Sequence, residues 1–261
     1  MPESYANFVI DRDGRVATLT FTREDRLNAL DGQTFRDLIA AADELEADDG
    51  VGVIVLTGRG KAFIAGADIN EYIDIGIGGY VAFQRLGRRM YDRWERLAKP
   101  VIAAVNGFAL GGGFELVLIA DIVIASERAK LGLPECKLGL LPGGGGTQRL
   151  TRLVGRNRAQ ELLMTGDFLS AAEAERFGIV NHVVPAESLM EKVREIADRI
   201  NERAPLAVRM AKELVNDGQN ASLPTAITQE MGMTATLYAT GDAREGIAAF
   251  LEKRAPVFGG R

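Results

Sequence analysis

The sequence has very few of the residues that form disulfides and zinc cages. Its 261 residues include one cysteine, Cys136, and one histidine, His182. One cysteine cannot form a disulfide within the chain, and one residue of each kind cannot assemble a His/Cys zinc site. We therefore expect a protein of a reducing compartment and assign no metal-binding residues.

Several nucleotide-binding and catalytic motifs are also missing. Ala62 follows Gly60 and Lys61 where a phosphate-binding loop has serine or threonine, and no G-x-G-x-x-G occurs. The chain also lacks the G-x-S-x-G of many serine hydrolases. These absences argue against nucleotide hydrolysis, dinucleotide binding and a Ser-His-Asp triad. His182, in a strand-like segment, is interpreted as structural.

Charge and hydropathy exclude further classes. The formal net charge is −5, from 31 basic and 36 acidic side chains, so no overall basic field attracts nucleic acid. No apolar stretch approaches the roughly 20 residues that span a bilayer, and the first residues lack the pattern of a signal peptide. We predict a soluble, cytoplasmic protein that binds neither nucleic acid nor membranes.

The apolar pattern predicts a β-rich first part followed by helices. Residues 8–10 and 17–21 flank an Asp-Gly turn and indicate a β-hairpin, and Asp31 stands where it caps a following helix. The glycine-rich residues 74–80 are predicted to be mobile, ahead of a helical apolar stripe that ends near residue 99. From about residue 157 onward, helix dominates.

A pattern of strand, glycine-containing loop and helix start occurs twice. The first unit runs from the strand at 51–56 to Ala67, and the second from the strand at 101–106 to Gly112, 45 residues later. This weak repeat is consistent with stacked ββα layers. Helix N-termini expose free N–H groups, and two of them can bind one developing oxyanion. A purely structural role for these glycines, in tight turns, stays open here.

Two glutamates lie beside the glycine loops. Glu115 is the acidic residue of an otherwise apolar helix, and Glu135 follows 20 residues later, ahead of a four-glycine run. Burial would raise the pKa of each carboxyl toward the range useful for proton transfer, and a pair can divide acid and base roles. Helix capping or ion pairing is the alternative for either residue. Asp121 is interpreted as a structural cap or ion-pair partner.

The chain resembles the crotonase (enoyl-CoA hydratase/isomerase) family, most closely the enoyl-CoA hydratases. The resemblance extends over nearly the whole chain. The segments that carry it are Leu-Asn-Ala-Leu at 27–30, Ala-Phe-Ile-Ala-Gly-Ala-Asp-Ile at 62–69, Lys-Pro-Val-Ile-Ala-Ala-Val-Asn-Gly at 99–107, Ala-Leu-Gly-Gly-Gly-Phe-Glu-Leu at 109–116, Pro-Glu at 134–135, Gly-Leu-Leu-Pro-Gly at 139–143 and Gly-Gly-Thr-Gln-Arg-Leu at 145–150.

The resemblance implies an α/β fold, the crotonase-like (ClpP/crotonase) spiral of ββα repeats. Residues 1–195 would form the spiral core with the active site. Residues 196–261 would form a C-terminal helical region for trimerisation and active-site cover. The implied assembly is a homotrimer or a hexamer built from two trimers. Methionines of this region, such as Met231, would lie on the trimer surface or in the chain's own core.

The resemblance also implies the reaction, which is reversible syn addition of water to a trans-2-enoyl-CoA to give a 3-hydroxyacyl-CoA. It needs no cofactor, since coenzyme A is part of the substrate. The residues that match the family's catalytic positions are Ala67 and Gly112 for the oxyanion hole, Glu115 for water activation, Glu135 for the Cα proton and Gly143 for holding the water. The positions that match its coenzyme A contacts are Ala29, Leu30, Ala65, Asp68, Ile69, Asn70 and Lys253.

Three alternatives remain at this point. An enoyl-CoA isomerase needs one acid/base group rather than a water-holding pair, and a specialised hydroxyacyl-CoA dehydratase would use the same chemistry in a different pocket. A non-catalytic member that binds acyl-CoA or RNA is the third. The presence of both Glu115 and Glu135 favours hydration.

Overall fold

Two β-sheets and ten helices make up residues 3–260, the part of the chain that the computed structural model describes. The strands are β1 (Glu3–Ser4), β2 (Phe8–Asp13), β3 (Val16–Phe21), β4 (Val53–Gly58), β5 (Ala62–Ile64), β6 (Val101–Val105), β7 (Phe108–Leu110), β8 (Ile122–Ser126), β9 (Lys130–Gly132), β10 (Leu169–Ser170) and β11 (His182–Val184). The helices are α1 (Gly32–Ala47), α2 (Gly76–Glu95), α3 (Gly112–Val117), α4 (Gly146–Val154), α5 (Arg156–Thr165), α6 (Ala171–Arg176), α7 (Leu189–Asn201), α8 (Pro205–Gly218), α9 (Leu223–Tyr238) and α10 (Gly241–Glu252).

The larger sheet has seven strands in the order β1-β2-β3-β4-β6-β8-β11. The first three strands pair antiparallel, and each later strand pairs parallel with its neighbour. One register row crosses its centre through Leu19, Leu56, Ala103 and Val123. All four side chains are buried, so the row forms part of the core.

The smaller sheet has the order β10-β9-β7-β5, and its strands come from the same chain segments as the larger sheet. β4 is followed by β5, β6 by β7 and β8 by β9, so each unit contributes one strand to each sheet. A helix follows β5 and another follows β7, which is the ββα repeat that the sequence predicts. The loops after β5 and β7 thereby come to lie side by side.

Both faces of the larger sheet are covered. Ile54 and Leu56 belong to the main core cluster, which also contains residues of α1, α2 and α3. Val53 and Val55, which point the other way, belong to a second cluster with Leu189 and other residues of α7. Strands that are buried on both faces are expected to be continuously apolar, as β4 and β6 are.

The hairpin and the first helix agree with the sequence prediction. Residues of β2 pair antiparallel with β3, and Asp31 caps α1 by accepting a hydrogen bond of 2.7 Å from the Thr34 N–H. Within residues 74–80, α2 begins at Gly76 and includes the glycines, and the predicted mobility of this segment stays a prediction. Tyr80 packs against Tyr72 with ring centroids 5.6 Å apart, and such packing compensates for poor local helix propensity.

The last three helices contribute little to the core of the single chain. Neither α8 nor α9 has a buried residue, and α10 buries only Asp242 and Ala249. The predicted boundary at residue 195 falls within α7, and that division stays a prediction. No helix within residues 3–260 is long and apolar enough to cross a membrane.

Candidate active site

Ala67 lies at a point where the backbone leaves its own N–H group free. Residues Leu30 and Ala67 form an isolated parallel bridge. In that bridge the Leu30 N–H donates to the Gly66 carbonyl at 2.9 Å, and the Asp68 N–H donates to the Leu30 carbonyl at 2.8 Å. Because both bonds use groups of the neighbouring residues, the Ala67 N–H points away from Leu30.

A second free N–H group lies beside it, at the start of α3. Gly112 is the first residue of this helix, so its N–H has no partner within the helix. A Cβ atom built on Gly112 would lie 3.9 Å from the Ala67 nitrogen. The two N–H groups that the sequence predicts as a pair therefore belong to adjacent backbone segments.

The glycines between these segments are needed for the close approach. Gly111 has φ +50°, and a Cβ atom on it would lie 3.6 Å from the Gly66 Cα and 3.0 Å from Oε1 of Glu135. A Cβ atom on Gly113 would overlap the carbonyl oxygen of Ile64. These contacts require glycine, and they place Glu135 next to the loop that precedes α3.

Glu115 lies one turn into α3 and is 3% exposed. Its Oε1 accepts hydrogen bonds of 2.7 Å from the N–H groups of Gly144 and Gly146. Gly146 begins α4, so the carboxylate also faces the positive end of that helix. Burial raises the pKa of Glu115, while these N–H groups and the Arg149 guanidinium act in the opposite direction.

Glu135 lies in a 3₁₀ turn, Pro134–Leu138, which follows β9. Its Oε2 is buried and has no hydrogen-bond partner. Burial, and secondly the Glu115 carboxylate, raise the pKa of Glu135 to about 7. A carboxyl group in this state can gain or lose a proton near neutral pH.

Both carboxyl groups and both loops face one cavity of about 130 Å³. Part of its wall is aromatic and comes from α1, α2 and the turn before α2. Phe83 lies between Phe35 and Tyr72, with ring centroids 5.2 and 5.4 Å away. The residues lining the cavity are Phe35, Ala65, Gly66, Ala67, Ile69, Tyr72, Tyr80, Phe83, Gln84, Gly87, Arg88, Tyr91, Gly111, Gly112, Glu115, Pro134, Glu135, Leu138, Leu140, Leu141, Gly143 and Gly144.

The structure brings together most of the residues that the sequence analysis selects. Those that line the cavity are Ala65, Ala67, Ile69, Gly112, Glu115, Glu135 and Gly143. Those that do not line it are Ala29, Leu30, Asp68, Asn70 and Lys253. Asp68 turns toward Arg23, whose Nη2 donates to it at 2.8 Å. Lys253 is exposed at the end of α10, and its contact with coenzyme A stays a prediction.

Other predicted residues have the surroundings expected of structural roles. Asp121 accepts a hydrogen bond of 2.7 Å from the Val101 N–H and pairs with Lys212 at 2.7 Å, which confirms its structural interpretation. His182 lies exposed in β11. Within residues 3–260 no three His, Cys, Asp or Glu side chains are grouped as a metal site would require.

Two residues that support the site, Arg149 and Tyr91, have no role predicted from the sequence. Arg149 donates to the Gly144 carbonyl at 2.6 Å, and Tyr91 donates to the Gly112 carbonyl at 2.9 Å. Tyr91 is a buried residue of the apolar stripe of α2, and helical spacing alone does not reveal its hydrogen bond to the loop. An arginine that closely follows a glycine run was the available signal for Arg149, since a guanidinium can satisfy loop carbonyls.

The chain is similar over almost its whole length to known proteins. The family model described as Enoyl-CoA hydratase/isomerase matches residues 11–261. A probable enoyl-CoA hydratase of Mycobacterium tuberculosis is 44% identical over 258 residues, covering 98% of each chain. The short-chain-enoyl-CoA hydratase of Clostridium acetobutylicum is 43% identical over 249 residues, covering 95% of each.

Solved structures agree with these matches. The crystal structure of an enoyl-CoA hydratase from Bacillus anthracis has a TM-score of 0.95 and 40% identity, and the match covers 98% of this chain and 100% of that one. The predicted crotonase-like fold is therefore confirmed. The chain is an enzyme that belongs to the crotonase, or enoyl-CoA hydratase/isomerase, family.

Proposed function

We propose that this enzyme catalyses the reversible syn addition of water to trans-2-enoyl-CoA thioesters, giving 3-hydroxyacyl-CoA. The proposal rests on one observation: the buried Glu115 and the half-buried Glu135 face one cavity beside two free backbone N–H groups. The relatives named enoyl-CoA hydratase support the same reaction. Retention of two carboxyl groups favours hydration over isomerisation, which needs a single acid/base group.

The thioester carbonyl oxygen accepts hydrogen bonds from the N–H groups of Ala67 and Gly112. When water adds to Cβ, negative charge develops on this oxygen, and preorganised donors stabilise it more than they stabilise the substrate. Losing one such donor typically costs ~10² to 10³ in rate. The free N–H directions at these two residues support this role.

The two glutamates exchange the protons. The ionised Glu115 takes a proton from the water as the water oxygen bonds to Cβ. The C=C electron pair shifts toward the carbonyl and forms the thioester enolate. Glu135, protonated, then donates to Cα as the enolate collapses. The Gly143 N–H helps to hold the water. In this mechanism both carboxyl groups act from the same side of the enoyl plane, so hydrogen and hydroxyl add to the same face.

Coenzyme A enters as part of the substrate, and no separate cofactor takes part. Its chain runs along the backbone of residues 29–30 and 65–70, and Lys253 contacts its phosphates. Ala65 and Ile69 line the cavity, which supports the first assignment. The cytoplasmic location and the lack of nucleic-acid binding stay predictions from the sequence.

The C-terminal helices form the contact surface of a homotrimer, which pairs into a hexamer. Large apolar side chains are exposed along α9 and α10 in the single chain, namely Leu223, Ile227, Met231, Tyr238, Ile247, Phe250 and Leu251. Exposed apolar area of this extent is typical of an interface. Sedimentation equilibrium should give three or six times the 28.2 kDa chain mass, and a monomer would contradict the assembly.

The experiment offers crotonyl-CoA and longer trans-2-enoyl-CoAs and follows loss of the conjugated thioester absorbance. Rapid loss in the wild type and a large decrease in both Glu115→Gln and Glu135→Gln are expected. Near-wild-type rates in both variants would refute the role of the pair. Substrate binding without turnover, or conversion of a 3-enoyl-CoA alone, would refute hydration in favour of a silent binder or an isomerase.

A further inference from the structure

A half-buried ion pair lies directly behind the loop that holds Glu115. Nε and Nη2 of Arg149, on α4, donate to the two carboxylate oxygens of Glu95 at 2.7 and 2.6 Å. Glu95 is the last residue of α2. The bidentate geometry fixes the plane of the guanidinium, which leaves Nη1 with a single direction.

The third guanidinium nitrogen, Nη1, binds the active-site loop. Nη1 of Arg149 donates to the Gly144 carbonyl at 2.6 Å. The same residue, Gly144, donates its N–H to Glu115 at 2.7 Å. Gly145 has φ +104°, and a Cβ atom there would overlap Nη1, so the guanidinium lies against the loop backbone itself. A continuous chain of hydrogen bonds therefore joins Glu95, Arg149, Gly144 and Glu115.

This series of hydrogen bonds also holds a positive charge, that of Arg149, near the site. The Arg149 side chain is 17% exposed, so solvent screens its charge only partly. The charged or titratable groups around Glu115 are Tyr91 and Arg88 from α2, Glu135 from the 3₁₀ turn and Arg149 from α4. Arg88 binds Asp92 at 2.6 Å, and Arg149 is the cation that opposes the effect of burial on the Glu115 carboxyl.

We propose that Arg149, oriented by Glu95, is a positioning residue that keeps both loop N–H groups on Glu115 and keeps Glu115 ionised to activate water. The inference rests on the proposed function, since it concerns the same reaction. Arg149 does not line the cavity, and it acts on the substrate only through the loop and Glu115.

The test compares Arg149→Met, Arg149→Lys and Glu95→Gln with the wild type in the pH profile of kcat/KM for crotonyl-CoA. Removing an opposite charge near a carboxylate shifts its pKa by ~1–3, so the acid limb should move up by about one unit or more in Arg149→Met. At neutral pH kcat should fall at least about tenfold while KM changes little. Arg149→Lys should restore most of the profile, and Glu95→Gln should shift it partly.

Arg93→Met is the matched control. Arg93 lies on α2, as Glu95 does, and makes ion pairs of 2.6 Å with Asp43 and Glu46. These pairs join α2 to α1 and not to the active-site loop. Its loss should lower stability and leave the acid limb in place. Superimposable profiles for folded Arg149→Met and wild type, or an equal shift in Arg93→Met, would overturn the inference.

A second readout separates this inference from the proposed function. If the wild type does not hydrate enoyl-CoA, the proposed function fails. Titration of Glu115 can still be followed by the infrared carboxylate band that Glu115→Gln removes. The inference predicts that this band titrates at higher pH in Arg149→Met than in the wild type, and an unchanged midpoint would overturn it.

Discussion

The Tyr91 hydroxyl donates a hydrogen bond of 2.9 Å to the carbonyl oxygen of Gly112. The phenol is buried, and it ties α2 to the first residue of α3, whose N–H is the proposed oxyanion donor. A Cβ atom on Gly144 would overlap the same ring. One side chain of α2 therefore contacts both the oxyanion loop and the loop that holds Glu115.

Replacing Tyr91 with phenylalanine keeps the ring and removes this hydrogen bond. Because the Gly112 peptide then loses one of its restraints, we expect kcat for crotonyl-CoA to fall about tenfold with little change in KM. The free energy of unfolding should fall by about 1 kcal/mol. Steady-state kinetics and urea unfolding measure the two effects.

Tyr5→Phe is the control, because the Tyr5 hydroxyl donates to Glu44 at 2.7 Å and Tyr5 does not line the cavity. It removes a hydroxyl hydrogen bond of the same kind and should leave kcat unchanged. A Tyr91→Phe enzyme with wild-type kcat would show that the hydroxyl does not contribute to the oxyanion loop.

The pH dependence follows from the glutamate pair. The pKa of Glu135 is raised to about 7, and the mechanism requires Glu135 protonated and Glu115 ionised. Hydration moves one proton from Glu135 to Cα and another from water to Glu115, so the pair of glutamates carries one proton before and after the reaction. The same holds for dehydration. We therefore expect kcat/KM for hydration and for dehydration to fall together as pH rises through about 7. Flat profiles between about pH 6 and pH 8 would contradict this assignment.

The same shift predicts a change in stability. The folded state binds the Glu135 proton more tightly than the unfolded chain, whose carboxyl has the ordinary value of 4.5. Stabilisation by this proton is complete below about 4.5 and is lost as pH rises through about 7. Glu135→Gln cannot ionise, so its unfolding free energy relative to the wild type should increase with pH across that window. Urea unfolding measures the difference, and a constant difference would contradict the shift.

Asp121 and Lys212 form a largely buried ion pair, and neither residue lines the cavity. Lys212 also donates to the Lys99 carbonyl at 3.0 Å. Asp121→Asn leaves the ammonium group without its counter-charge, and we expect a loss of about 3 kcal/mol in unfolding free energy. The specific activity of the folded fraction should not change. Lys192→Met, which breaks an exposed pair with Glu195, should cost less than about 0.5 kcal/mol, and similar losses in the two variants would contradict the argument.

Sequence patterns over a few residues predict those helices and strands that are stabilised by residues close in sequence. The Asp31 cap, for example, depends on a residue three positions away, and the alternation of β3 depends on neighbours in one strand. The start of α2 was not predictable in this way. Its glycines disfavour a helix, and Tyr80 is held there by packing on Tyr72, which precedes the helix.

The catalytic centre was predictable from its glycine loops, its glutamates and the family resemblance, but its support was not. Glu95 and Arg149 are 54 residues apart and lie on different helices. No periodicity relates them, and a charged residue in each position is equally consistent with a solvated helix face. The folding of the ββα units into a spiral brings α2 and α4 together behind the loop of Gly144.

The aromatic wall of the cavity predicts a preference for short acyl chains. Phe83 packs between Phe35 and Tyr72 and is one of the α2 residues that line the cavity. Phe83→Ala removes the ring and leaves space for further methylene groups, each of which contributes about 1–3 kcal/mol in an apolar pocket. We expect the ratio of kcat/KM for octenoyl-CoA to that for crotonyl-CoA to rise at least about tenfold. Phe83→Leu, which retains most of the side-chain volume, should change this ratio far less. An unchanged ratio in Phe83→Ala would contradict this prediction. It would mean that the acyl chain does not extend toward Phe83, because the added space would not help the longer substrate.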